Sequence, residues 1–179
     1  MQKLKPIELR NRAPTEEELA KIKKNPIYII IDNVLDTYNI GAIFRLADAV
    51  GARRVILCGE TETPPNTKIK RASINTTEWV EWQYFDTAKS AISYLKNNIS
   101  NLQVVAIEQT PKSVPYDKFE YRFPIAFVLG HETRGVSKET LELADAIVEL
   151  PMYGINTSLN VMVSLAIILY RAMEECRRS

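Results

Sequence analysis

Beyond residue 25 the chain alternates two patterns of hydrophobic and polar positions. Short, unbroken runs of β-branched and aromatic residues suit strands covered on both faces. Between them lie stretches whose apolar residues recur every three or four positions, as on one face of a helix. The pattern predicts strands at 27–31, 54–58, 79–85, 104–108, 125–129 and 146–150. Helices are predicted at about 39–50, 87–97, 137–144 and 158–177. Alternation of this kind predicts an α/β fold with a largely parallel sheet flanked by helices. In such a sheet, ligands bind beyond the carboxyl ends of the strands. The last helix is apolar all round, from Leu159 and Val161 to Leu169 and Tyr170. One small sheet can cover only one side of it, so the rest is expected to be covered by a subunit interface, the economical reading, or by enclosure of the helix within one subunit.

Residues 1–25 break the pattern and read as a short polar extension of a domain spanning 26–179. Within the extension, Thr15 and Glu18 have the spacing of a capping box that opens a helix. No apolar core of a signal peptide is present there. The strongly apolar stretch 161–170 is interrupted by Ser164 and is too short to cross a bilayer, so a cytoplasmic protein without membrane contact is expected. All six glycines are expected at element boundaries or in loops, and none supplies the spacing of an ordinary dinucleotide or nucleoside-triphosphate loop.

Charge narrows the picture less than pattern does. Lys and Arg number 23 against 22 acidic residues, a net of +1, so any nucleic-acid contact must come from local clusters. The candidates are Lys3, Lys5, Arg10 and Arg12, the pair Arg53 and Arg54, the run Lys68, Lys70 and Arg71, and Arg177 with Arg178. Each of these reads equally well as a solvated surface. Cys58 and Cys176 have no metal or redox spacing and read as reduced thiols. With His131 as the single histidine, no metal site is expected.

Three segments carry candidate chemistry. Asn39 to Arg45 reads NIGAIFR, with Arg45 opposite an apolar face of Ile40, Ile43, Phe44, Ala47 and Val50. Its plainer reading is a helix capped by Asn39 and followed by a solvated arginine. Leu129 to Gly135 reads LGHETRG, directly after a buried strand. There Gly130 would let the backbone approach a ligand, and Glu132 is a carboxylate at the ligand edge of the sheet. Leu150 to Asn160 reads LPMYGINTSLN and leads into the apolar final helix. Its plainer reading is capping by Thr157 or Ser158, although Ser158 and Asn160 also stand where exposed N–H groups attract polar ligands.

Taken together, Asn-x-Gly-x-x-x-Arg, Gly-x-Glu-x-x-Gly and Pro-Met…Ser-Leu-Asn resemble the three motifs of the SpoU (TrmH-like) branch of the SPOUT methyltransferases. The resemblance spans about residues 26–174. One departure is Val161-Met162-Val163 after Ser-Leu-Asn, where relatives more often carry small or polar residues. The resemblance implies an α/β domain with a deep C-terminal trefoil knot, and a homodimer joined through the last helix. It also implies S-adenosylmethionine as cofactor and RNA, transfer RNA ahead of ribosomal RNA, as the ribose 2′-hydroxyl substrate. By position, Ile107, Leu129, Gly130, Leu150, Met152, Ser158 and Leu159 would form the cofactor pocket. Asn39, Arg45, Glu132, Ser158 and Asn160 match the family's catalytic and substrate-binding positions.

Other readings keep different parts of this picture. A non-catalytic RNA-binding protein with the same knotted fold would keep the motif residues' scaffold but bind no cofactor. A flavodoxin-like phosphate binder is opposed by the acidic segment from Asp32 to Asp36 after the first strand, which would repel an anion. A helical-dimer scaffold would not need polar groups at three loops.

Overall fold

A computed structural model describes residues 3–176. Arg177 and Arg178, and the expected end of the last helix at residue 177, lie outside the described residues. Two short helices come first, α1 (Pro6–Asn11) and α2 (Glu16–Ala20). The α/β region follows as β1 (Asn25–Asp32), α3 (Thr37–Ala49), β2 (Ala52–Cys58), α4 (Thr67–Ser73), β3 (Trp82–Phe85), α5 (Ala88–Asn98) and β4 (Gln103–Ile107). It ends with β5 (Val114–Pro115), β6 (Ile125–Leu129), α6 (Lys138–Leu143), β7 (Ala146–Glu149) and α7 (Val161–Cys176). The seven strands form one sheet in the order β3-β2-β1-β6-β4-β7-β5, and every pairing is parallel.

Strand periodicity assigns the two faces. Ile27, Ile29 and Ile31 point into a core shared with Ile40, Ile43 and Phe44 of α3 and with Leu165, Ile168 and Leu169 of α7. Ile30, Ile56 and Val104 point the other way, against Ala91, Ile92 and Leu95 of α5. The central strands are thus apolar on both sides, which is why they read as unbroken runs. Cys58 is sealed in that second core, and burial pushes its thiol up to about 12, so it stays protonated and inert.

Several expectations shift in detail. Asn39 does not cap α3: the Asp36 side chain accepts from Tyr38 N at 2.8 Å, and Asn39 lies inside the first turn. Gly41 is helical rather than at a boundary, because a Cβ there would come within 2.6 Å of Ala72 Cβ where α4 packs. The third strand starts later than its apolar pattern suggests, since Thr76–Glu78 forms a turn of 3-10 helix and Trp79 is buried. The capping box at Thr15 and Glu18 is present, with Glu18 also paired to Arg12 at 2.7 Å. The extension docks through Asn75, whose side chain donates to the carbonyls of Leu9 and Arg12 at 3.0 Å each. Arg12 also stacks 5.4 Å from the Trp79 ring centroid.

Helix α7 is not buried on all sides within the single chain. Val163, Ile167 and Tyr170 are 37%, 38% and 50% exposed. Their spacing of four and three places them on one stripe. They form an open apolar stripe along the surface of the single chain.

Candidate active site

The carboxyl ends of β4, β6 and β7 open into a cavity of about 510 Å³, within the range of small-ligand sites. Its walls come from segments far apart in sequence. Ile107, Glu108 and Gln109 leave β4, the turn from Leu129 to Gly135 leaves β6, and Glu149, Leu150 and Met152 leave β7. The loop from Asn156 to Asn160 closes the remaining side before α7 begins. All seven residues expected in the cofactor pocket, Ile107, Leu129, Gly130, Leu150, Met152, Ser158 and Leu159, line it.

The turn after β6 is a tight closed loop. His131 N donates to Gly135 O at 3.1 Å and Gly135 N returns the bond at 2.8 Å. The His131 ring nitrogen Nδ1 accepts from Thr133 N at 3.0 Å, so the histidine braces its own loop. Gly130 is required by the fold of the loop itself. An added Cβ would stand 2.2 Å from the Gly135 carbonyl carbon, so the glycine accommodates the chain's own crossing. Gly135 itself has φ +68°, a left-handed conformation, and an added Cβ would strike the Glu108 carboxylate.

Glu132 projects from this loop toward the start of α3. Its carboxylate accepts from Leu35 N at 3.2 Å, Asp36 N at 3.0 Å and Asn39 Nδ2 at 3.2 Å. Burial pushes the carboxyl up, but the N–H groups of Asp36, Glu132 itself and Leu35, with the Asn39 amide, outweigh burial and hold it below its ordinary value. Glu132 is therefore an anchored anion and a poor proton acceptor near neutrality. The acidic segment after β1 turns out to present backbone N–H groups to a carboxylate, a pairing that its side-chain charges do not reveal.

Asn160 completes the connection. Its Nδ2 donates to Asn39 Oδ1 at 2.9 Å, while its Oδ1 accepts from Met162 N at 2.9 Å and Val163 N at 3.4 Å. Asn160, and neither Thr157 nor Ser158, thus satisfies the first turn of α7. With its oxygen held by the helix, the Asn160 amide has one orientation, and so does that of Asn39, which is 6% exposed. A single chain of hydrogen bonds, Asn160 to Asn39 to Glu132, ties the three motif segments together at the cavity rim.

The fifth residue stands apart. Arg45 is exposed on α3 and does not line the cavity. Six helical residues separate it from Asn39, roughly 9 Å along the axis and about 120° around it. Ser158 lines the cavity without joining the hydrogen-bond chain, and its N–H donates to Asn156 Oδ1 at 3.2 Å.

Glu108 and Gln109 are cavity residues that the motif spacing did not mark. Glu108 Oε2 accepts from Val136 N at 2.9 Å, and Gln109 Nε2 donates to Leu150 O at 3.3 Å. The signal available for them was their place, directly beyond the carboxyl end of a central strand. Among the described residues, no cluster of three or more His, Cys, Asp or Glu could hold a metal ion.

Comparison with known proteins gives the same picture from another direction. The model of the SpoU rRNA methylase family matches residues 26–170. A tRNA (guanosine(18)-2′-O)-methyltransferase of Aquifex aeolicus is 31% identical over 173 residues, 93% of this chain and 78% of the relative. Among solved structures, the TrmH/SpoU tRNA-modifying enzyme of A. aeolicus superposes with a TM-score of 0.79 at 29% identity, covering 97% of this chain and 83% of the other. An AdoMet-bound rRNA methyltransferase from Sinorhizobium meliloti superposes with a TM-score of 0.77 at 28% identity, over 97% of this chain and 62% of the other.

Proposed function

The chain belongs to the SpoU rRNA methylase family, and from that premise we propose that it methylates a ribose 2′-hydroxyl of structured RNA, transfer RNA ahead of ribosomal RNA. It is an S-adenosylmethionine-dependent RNA 2′-O-ribose methyltransferase. The observation that carries the reading is the hydrogen-bonded chain from Asn160 through Asn39 to Glu132, beside a cavity lined by every expected pocket residue.

The cavity suits this cofactor by its chemistry. Ile107, Leu129, Leu150, Met152 and Leu159 supply apolar walls for a base, and the irregular backbone between them supplies polar groups for sugar and amino acid. When bound, S-adenosylmethionine supplies an electrophilic methyl group on a sulfonium. The chain's own residues must hold a ribose oxygen in line with that methyl and ease loss of its proton. Asn160 and Asn39, oriented by α7 and Glu132, fix the rim against which the sugar rests. Arg45 stabilises the developing alkoxide and grips the neighbouring phosphate. A guanidinium, which stays protonated near neutrality, is a poor base but a well-shaped partner for both.

The active form in this reading is a homodimer through α7. The exposed stripe of Val163, Ile167 and Tyr170 supports it, as do the open side chains of Tyr153 and Ile155 before α7. In this reading the second copy completes the site, with Arg45 of one subunit, which lies outside its own chain's cavity lining, acting at the rim of the other. The order of β4, β6 and β7 and their two cavity loops suits the trefoil knot that the family resemblance implies. RNA phosphates are met by Lys68, Lys70 and Arg71 on the exposed side of α4, a helix without an acidic residue beside the one that bears Arg45. Preference for transfer RNA rests on the A. aeolicus relative, and the cytoplasm is where such a substrate would be met. Mapping ribose methylation in RNA from cells with and without the protein tests the proposal. Loss of one methylated ribose in a transfer RNA is expected, and an unchanged map of both RNA classes would overturn it.

A further inference from the structure

The Glu108 carboxylate is a group in the cavity for which the motifs provide no role. It follows Ile107 at the end of β4 and is half-buried. Its Oε1 accepts from Gln109 N at 2.8 Å and its Oε2 from Val136 N at 2.9 Å. These two bonds fix the rotamer, and the second braces the end of the 130–136 turn. They use about half the acceptor capacity of a carboxylate, which has roughly four lone-pair positions. The remainder borders the cavity. Gly135 leaves the room this carboxylate occupies, since any Cβ there would collide with Oε2.

We infer, resting on the methyltransferase reading above, that Glu108 is a cofactor-binding residue whose carboxylate accepts both ribose hydroxyls of the adenosyl group. Ile107, Leu129 and Leu150, at the ends of three adjacent strands, form the apolar wall suited to a flat base. Glu108 is one residue beyond that wall, where the sugar of a nucleoside seated on it would lie. An ionised carboxylate only accepts, and a vicinal diol offers two donors at the spacing of its two oxygens. Because backbone N–H groups already orient Glu108, little side-chain freedom is lost on binding.

The experiment is calorimetric binding of S-adenosylhomocysteine, 5′-methylthioadenosine and the 2′,3′-dideoxy analogue of the latter to wild type and to Glu108→Gln. In the variant, methylthioadenosine is expected to bind at least tenfold more weakly, with the dideoxy analogue within twofold of its wild-type affinity. Equal losses for both nucleosides would reduce Glu108 to a brace of the loop. No loss for either, or a loss confined to S-adenosylhomocysteine, would also overturn the assignment. If the variant does not fold, wild type still decides, because less than twofold discrimination between the two nucleosides refutes a diol contact. Failure of wild type to bind S-adenosylhomocysteine would instead bring down the methyltransferase reading on which the inference stands.

Discussion

Replacing Glu132 with alanine should cost far more in activity than in stability, and the difference can be worked from the geometry. The substitution removes the acceptor for Leu35 N, Asp36 N and Asn39 Nδ2, at 3.2, 3.0 and 3.2 Å. A shielded hydrogen bond to a charged group contributes about 1.5–3 kcal/mol. Glu132 is exposed, so water replaces much of what is lost, and the sum falls to roughly 1–2 kcal/mol. For a chain of this size that is a fall in Tm of roughly 2–8 °C. The Asn39 amide, however, loses one of its two fixed partners, and Asn160 then loses a defined acceptor. A displacement of about 1 Å in a positioning group can lower a rate about 100-fold. Thermal unfolding and single-turnover methylation of a competent RNA, run on the same preparation, separate the two effects. A variant with the expected Tm shift and turnover within threefold of wild type would refute the positioning role. The pH dependence has a definite sign. A carboxyl held below its ordinary value stabilises the fold above the unfolded value of about 4.3, and this stabilisation is lost as pH falls through the folded value. The stability gap between wild type and Glu132→Gln should therefore close on acidification below about pH 4.

Arg45→Ala should abolish methyl transfer while leaving the unfolding temperature and S-adenosylhomocysteine affinity near wild type, because the side chain is exposed and outside the cavity lining. Near-normal turnover would remove Arg45 from the mechanism. Ile167→Asp places a charge in the middle of the open stripe on α7, where a monomer tolerates it and a dimer interface does not. Sedimentation should show a dimer become a monomer with helicity unchanged, and an unaltered sedimentation coefficient would exclude this stripe as the interface.

Much of the fold was legible because its elements are locally consistent. Strands such as β6, at residues 125–129, are apolar on both faces and bounded by turns, so their limits can be read directly. Thr15 announces a helix by capping chemistry that acts within three residues, and Thr87 and Ser137 cap the starts of α5 and α6 in the same way. Where the reading drifted, a distant partner had intervened. Gly41 sits inside α3 because α4 approaches there, and Asn39 faces Glu132 and Asn160 although it could have capped a helix.

The order of apolar runs was enough to determine the α/β class, and the spacing of three polar motifs carried the family resemblance, which implied seven residues of the cavity wall. Apolar runs and motif spacing do not depend on which segments meet. Only the tertiary structure decided the connections between them. It joined residues 39, 132 and 160 through hydrogen bonds spanning 93 and 121 positions. It gave Glu108 a place in the cavity, left Arg45 outside it, and decided which stripe of an all-round apolar helix stays open in the single chain. Contacts over such separations depend on how strands are ordered within the sheet, and no local pattern records that order.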